Sequence, residues 1–157
     1  MWVFDIRPFA GALPVAFGMS RADVHGLLGA PEVESRQTQW RRHVDSWDEC
    51  RFNVGYDEQL TVVHVGFIPG RFFLRLAGTP LWSVWTHPDP NPFLLRLDPE
   101  PVEALGFLIF GRIGVTTTGY HQGDEGDLSI AVHPRETWDA FLKKGVAPDL
   151  SRYGRGP

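Results

Sequence analysis

The sequence predicts an α+β fold in which short helices pack on an antiparallel β-sheet. Three observations carry this reading. A capped helical segment starts at Ser20, an alternating stretch from Cys50 to Phe67 reads as a hairpin, and a second helix-then-strands series follows the proline-rich segment 86–92. Antiparallel strands with helices on one side form the α+β layout. The 157 residues suit one compact domain, 1–157, divisible into halves 1–85 and 91–148, each a helix followed by about three strands. The Gly- and Arg-rich end, 149–157, reads as a frayed tail.

The N-terminal stretch is apolar, but Asp5 and Arg7 interrupt it and Pro8 and Pro14 break it. It lacks the basic start and unbroken apolar core of a signal peptide, so a cytoplasmic location is expected. Apolar runs elsewhere are too short to cross a bilayer, and no membrane contact is expected. The first clear element follows. Ser20 is placed to accept from the amide of Asp23, with Met19 and Val24 in staple positions. Val24, Leu27 and Leu28 share a helical face that should dock on the sheet, and Gly29 and Pro31 stop the helix.

Gln37 to Val44 is the weakest strand candidate, and Trp40 and Trp47 flank a turn at RRHVDS. Cys50, Phe52, Val54 and Tyr56 alternate with smaller or polar residues. The turn Asp57-Glu58-Gln59 then leads into Leu60 to Phe67, giving an antiparallel hairpin. Phe72 to Leu76 reads as a strand, and Leu81 to Trp85 as a strand or a turn of helix. Asn91 is placed to cap a helix with Pro92 at its first position and Phe93, Leu94, Leu95 and Leu97 as its apolar residues. Gly106 to Phe110, Val115 to Tyr120 and Leu128 to Val132 read as strands, the last two joined by the loop Gln122 to Asp127. Pro134 opens a last helix carrying Trp138, Phe141 and Leu142.

Composition excludes several function classes. Hydrophobic residues at 43% and charged residues at 22% mark a globular chain, not a disordered one. A net charge of −4 disfavours nucleic acid and permits a basic partner. The six histidines show no metal-ligand spacing. His64 reads as a hydrogen-bonded strand residue and His25 as a solvated one. His121 with Asp124, Glu125 and Asp127 could hold a divalent cation, but the loop lacks the calcium-loop spacing, and a polar hairpin tip accounts for it. Asp5, Asp45, Asp48, Glu49 and Asp57 could pair as a carboxylate dyad, although solvated turns explain them more simply. Cys50 falls at an apolar position and reads as a buried, inert thiol. No nucleophile elbow, phosphate loop or dinucleotide fingerprint occurs. The expectation is therefore a non-catalytic protein with no metal or other cofactor. The alternatives are a small metal-binding protein or enzyme using the His121/Asp124 loop, or a structural adaptor.

Six tryptophans are many for this length. Core packing explains each singly, but aromatic side chains also anchor interfaces. Trp82 and Trp85, beside the proline-rich segment, and Asp124, Glu125 and Asp127, in the acidic loop, are the expected partner-binding residues.

The stretch FGMSRADVHGLLGAP, Phe17 to Pro31, and the hairpin FNVGYDEQLTVVHVGF, Phe52 to Phe67, carry a resemblance. The pattern G-M-S-x-x-x-V-x-x-L-L-G-x-P followed by a Tyr-Asp turn resembles bacterial polymorphic-toxin immunity families. It is also similar to the helix-plus-antiparallel-sheet unit of β-lactamase inhibitor protein and of small outer-membrane-assembly lipoproteins. No lipoprotein cysteine stands near the N-terminus. The resemblance spans about a third of the chain. It implies an immunity protein that blocks a cognate toxin domain, with acidic loops facing a basic cleft.

Overall fold

The computed structural model describes residues 1–37, 42–104, 106–119, 128–137 and 148. The N-terminal stretch that Pro8 and Pro14 punctuate forms three strands, β1 (Trp2–Arg7), β2 (Gly11–Leu13) and β3 (Val15–Ala16). The prolines fall in the connections, where their missing amide breaks no ladder bond. These strands join β8 (Phe72–Leu76) and β9 (Thr79–Trp82) in a five-stranded sheet of order β3-β2-β1-β8-β9. β1 and β8 run parallel, in the register Phe4↔Leu74. The expected purely antiparallel arrangement is thus corrected at one pair, because strands so far apart in sequence need no hairpin.

Between β1–β3 and β8, helix α1 (Arg21–Leu28) leads into β4 (Val33–Gln37), β5 (Arg42–Trp47), β6 (Phe52–Tyr56) and β7 (Val62–Phe67). Beyond β9, helix α2 (Asn91–Leu97) leads into β10 (Val102–Ala104), β11 (Phe107–Phe110), β12 (Val115–Thr118) and β13 (Ser129–Val132). Each helix thus precedes an antiparallel meander of four strands. The two meanders meet through their last strands in one sheet of order β10-β11-β12-β13-β7-β6-β5-β4. The hairpin read at Cys50 to Phe67 is the β6–β7 pair, with Phe52 opposite Phe67. Its turn is held by Asp57, whose Oδ1 accepts from the amides of Gln59 and Thr61, each at 3.0 Å. Strands make up 47% of the described residues and helices 14%, so the fold is more sheet-dominated than a balanced α+β domain.

The two sheets face each other across aromatic side chains. Phe4 of the small sheet lies 4.9 Å from Phe52 and 5.1 Å from Phe67 of the large one, in edge-on contacts. Trp47 stacks on Phe52 at 5.6 Å. These rings are buried at the centre of a core completed by aliphatic residues such as Ile6, Val54, Val65, Leu74 and Leu94.

Several local expectations are corrected. Ser20 does cap α1, accepting from the Asp23 amide at 3.1 Å, and Val24 is buried. Leu28 packs against the core, but Leu27 is 50% exposed, so only a narrow stripe of this two-turn helix docks. RRHVDS is no turn, since its residues Arg42 to Ser46 lie in β5; of the expected strand Gln37–Val44, Gln37 ends β4, Arg42 to Val44 open β5, and 38–41 lie outside the described residues. Cys50 is exposed in the turn after β5 rather than buried in a strand. Asn91 does not cap α2. Its side chain is buried and its Oδ1 accepts from the Thr117 hydroxyl at 2.8 Å, while Pro90 holds the cap position. A buried amide gains more from that inward partner than from a helix end that water can satisfy. Trp138, Phe141 and Leu142, and the tail 149–157, lie outside the described residues.

Candidate functional site

Among the described residues, the β5–β6 turn has the longest run of left-handed backbone. Asp48, Glu49 and Cys50 are consecutive and all left-handed, with φ of 55°, 56° and 66°. None is glycine, so each carries a steric cost that the surroundings must offset. Two carboxylates do so. Glu32 accepts from the amides of Asp48, at 3.1 Å, and Glu49, at 2.9 Å. Asp48 turns inward, 1% exposed, and accepts from the Arg71 amide at 2.7 Å and its Nε at 2.8 Å. Gly70 permits this approach, because a Cβ there would stand 2.9 Å from Asp48 Oδ2 and 2.5 Å from Arg51 Cβ. Glu49 is left pointing outward, its side chain 75% exposed.

A second turn lies alongside. Ser83 closes it, its hydroxyl oxygen accepting from the amides of Trp85 at 3.2 Å and Thr86 at 3.0 Å. His87 ties this second turn to the β7–β8 connection that braces the first, its Nε2 standing 3.2 Å from the Gly70 carbonyl oxygen. A 400 Å³ cavity lies between the two turns, lined by Asp48, Glu49, Arg71, Val84 and His87. Trp85 projects from the second turn and is 79% exposed, its ring edge-on to Phe73 at 6.0 Å. That Phe73 also lines a 620 Å³ groove with Val3, Leu81 and Pro88. A braced, exposed indole beside a groove and an acidic turn offers apolar area and charge to a partner.

The structure separates the expected site residues. Trp82 is 2% exposed and its Nε1 donates to the Pro88 carbonyl at 3.0 Å, so it supports the turn and packs in the core. Trp85 is the one of the pair that solvent reaches. Asp124, Glu125 and Asp127, with His121, lie outside the described residues. Of Asp48 and Glu49, both read as solvated turn residues, only Glu49 is exposed on this rim, while Asp48 is buried against Arg71 and holds the turn's shape. No residue pattern marked them, because a left-handed turn without glycine has no sequence signature.

Two other readings are corrected on the inner face of the large sheet. Asp45 is fully buried and His25 is not simply solvated. Arg21 donates to both Asp45 oxygens, at 2.9 and 2.6 Å, and His25 Nε2 lies 2.7 Å from Oδ2. Burial pushes the Asp45 carboxyl up, but the hydrogen bonds from Arg21 and His25 outweigh it and hold the group below the usual carboxylate range. His25, Glu34 and Asp45 bring ligand-type atoms within 4.8 Å of one another. The Arg21 guanidinium fills the cation position among them, 3.1 Å from Glu34 as well. The cluster therefore pins α1 to the sheet. Compared with protein-family models, curated proteins and solved structures, the chain matches none of them.

Proposed function

We propose that this is a non-catalytic binding protein, an immunity protein that neutralises a toxin by covering its active site with the Trp85 rim. One observation carries the reading. An indole 79% exposed is held on a braced turn beside a left-handed acidic turn, and the buried Asp48 fixes that neighbour's shape. Strained turns persist where the fold over-determines them, and such places are enriched in recognition sites. The helix-then-meander unit, present twice, is the layout that the immunity-family resemblance implies. The acidic partner residues expected at Asp124, Glu125 and Asp127 belong to the same proposal.

The test uses the toxin domain encoded beside this chain's gene, titrated calorimetrically against the intact protein. Trp85→Ala should weaken binding by roughly 2 kcal/mol, about thirtyfold, with its melting temperature kept. Glu49→Lys and Asp124→Lys should mainly slow association and flatten its salt dependence. Wild-type affinity in all three variants sinks the proposal.

A further inference from the structure

We propose that the outer face of the large sheet holds a binding site for a small organic oxyanion, a carboxylate or phosphate head on an apolar body, recognised by Arg42, His64 and His133. This face is turned away from the small sheet and from the Trp85 rim, and the proposal is independent of the immunity reading.

The site arises from the joining of the two meanders. β7 and β13 pair with Val65 opposite Val132, so the neighbouring His64 and His133 meet on the outer face. Their ring centroids are 4.8 Å apart. Arg42 reaches them from β5 across the sheet. Two glycines make room, one for Arg42 and one for the His64 ring. A Cβ at Gly55 would stand 2.5 Å from Arg42 Cδ, and one at Gly66 would stand 2.9 Å from His64 Cε1. Glycine in a mid-sheet strand weakens it and marks a place where something must lie close. A cavity of 260 Å³ results, lined by Arg42, Asn53, His64, Thr116 and His133 over an apolar floor of Ile109 and Ala131. That volume is near the lower end for small-molecule sites, about 300 Å³.

Charge decides the ligand. Arg42 is half-buried, burial lowers its pKa, and no carboxylate among the described residues stands beside it. Arginine does not surrender its proton under such pressure, so the site carries a fixed positive charge. His64 Nδ1 is buried with no hydrogen-bond partner among the described residues. Burial, then His133 and Arg42, hold His64 well below the usual histidine range, and burial with Arg42 brings His133 down to about 3. Both imidazoles are therefore neutral near pH 7, and each has one donor and one acceptor nitrogen. A metal ion, which a histidine pair might otherwise take, is repelled by Arg42. An oxyanion is attracted, and the planar guanidinium matches its two oxygens.

Binding should also draw a proton. A bound anion favours the charged imidazole, so affinity rises as pH falls. The ionisable groups facing the histidine pair among the described residues are Arg42 from β5 and the two histidines themselves. Strands β6 and β12 contribute only Asn53 and Thr116.

Calorimetry on the full chain with benzoate, phenyl phosphate and the neutral benzyl alcohol tests the site, and the two anions distinguish the head group. At least one anion should bind one to one, about tenfold or more tighter than the alcohol, as a charge-assisted fork requires. It should bind more tightly at lower pH and shift the imidazole Cε1–H resonances of His64 and His133. Arg42→Met should erase the margin over the alcohol. The wild-type resonance shifts give a readout that does not depend on that variant folding. Equal binding of the alcohol, an anion margin that survives Arg42→Met, binding of neither anion, or tighter binding of Zn²⁺ overturns the proposal.

Discussion

Strand β5 carries two arginine–histidine clusters on opposite faces, and they differ in one respect. On the inner face Arg21 and His25 converge on Asp45, and every charge has its complement. On the outer face Arg42 stands beside His64 and His133 with no acid among the described residues. The same residue types thus make a closed structural clamp on one side and an open, uncompensated site on the other. A buried charge that is paired and hydrogen-bonded explains itself by stability, whereas one that is neither stands at a cost the fold alone does not repay.

The largest expected effect is on the closed cluster. Asp45→Ala leaves Arg21 and His25 facing each other without the acid. Removing one partner of a buried pair typically costs about 3–5 kcal/mol, and the partial exposure of Arg21 places this variant near the lower figure. Urea unfolding measures it. A loss under about 1 kcal/mol would mean that water replaces the carboxylate and that the clamp is ornamental.

The two clusters should also titrate in separate pH windows. Asp45 has a lowered folded pKa, so its stabilisation is present above the unfolded value, about 3.9, and disappears as pH falls below it. His64 and His133 also have lowered folded values, but they are bases. Below about pH 6.5 the unfolded chain takes up protons that the folded chain refuses, so stability falls with pH. Each histidine contributes up to about 1.4 kcal/mol per pH unit between that value and its folded pKa. Between about pH 6.5 and 4, then, His64 and His133 contribute a slope in which stability falls with pH. His133→Phe should flatten it. An unchanged slope would place the acid sensitivity elsewhere.

Ser20→Ala is milder, costing about 1 kcal/mol through the lost helix cap. It bears on the comparison because Arg21 is the first residue of α1. If Asp45 holds Arg21 independently of the helix end, the Ser20 and Asp45 substitutions should be additive, whereas coupling would show that cap and clamp act as one unit.

The parts of this molecule that were legible in sequence are those with local causes. The Ser20 cap, the Asp57 turn and the alternation of Phe52, Val54 and Tyr56 each act within a few residues, and the structure has them all. The parts that were not legible depend on contacts distant in sequence. β1 is a strand because it pairs with β8, some seventy residues away, despite the prolines that follow it. Asp45 and Asp48 are buried because Arg21 and Arg71 meet them, and no spacing rule links those positions. The same holds for the candidate sites. Trp85 could be named from its segment, although nothing separated it from Trp82 until the Ser83 turn fixed which indole points out. His64 and His133 come from different halves and share a cavity only because β7 and β13 pair.

The smallest expected effect is the sharpest test of the contrast between the two faces. Arg42→Met keeps a long, unbranched stem over Gly55 and removes only the charge. At a paired arginine such a change is destabilising. At Arg42 no carboxylate among the described residues would be orphaned, and the half-buried guanidinium loses hydration. Replacing an uncompensated buried charge with an apolar group of similar shape should be neutral or stabilising, by about 1 kcal/mol at most, since part of the guanidinium stays hydrated. The histidines respond as well, because Arg42 helps hold both of them down. Their resonances should then titrate at higher pH in the variant, although burial, the larger cause, keeps them below the usual range. Melting curves and an imidazole pH titration on one sample decide the matter. A stabilised variant with raised histidine values shows that Arg42 is kept at the expense of stability, which is the mark of a binding group. A variant destabilised by about 2 kcal/mol or more would show instead that Arg42 has a structural partner, and the two faces of β5 would no longer differ in kind.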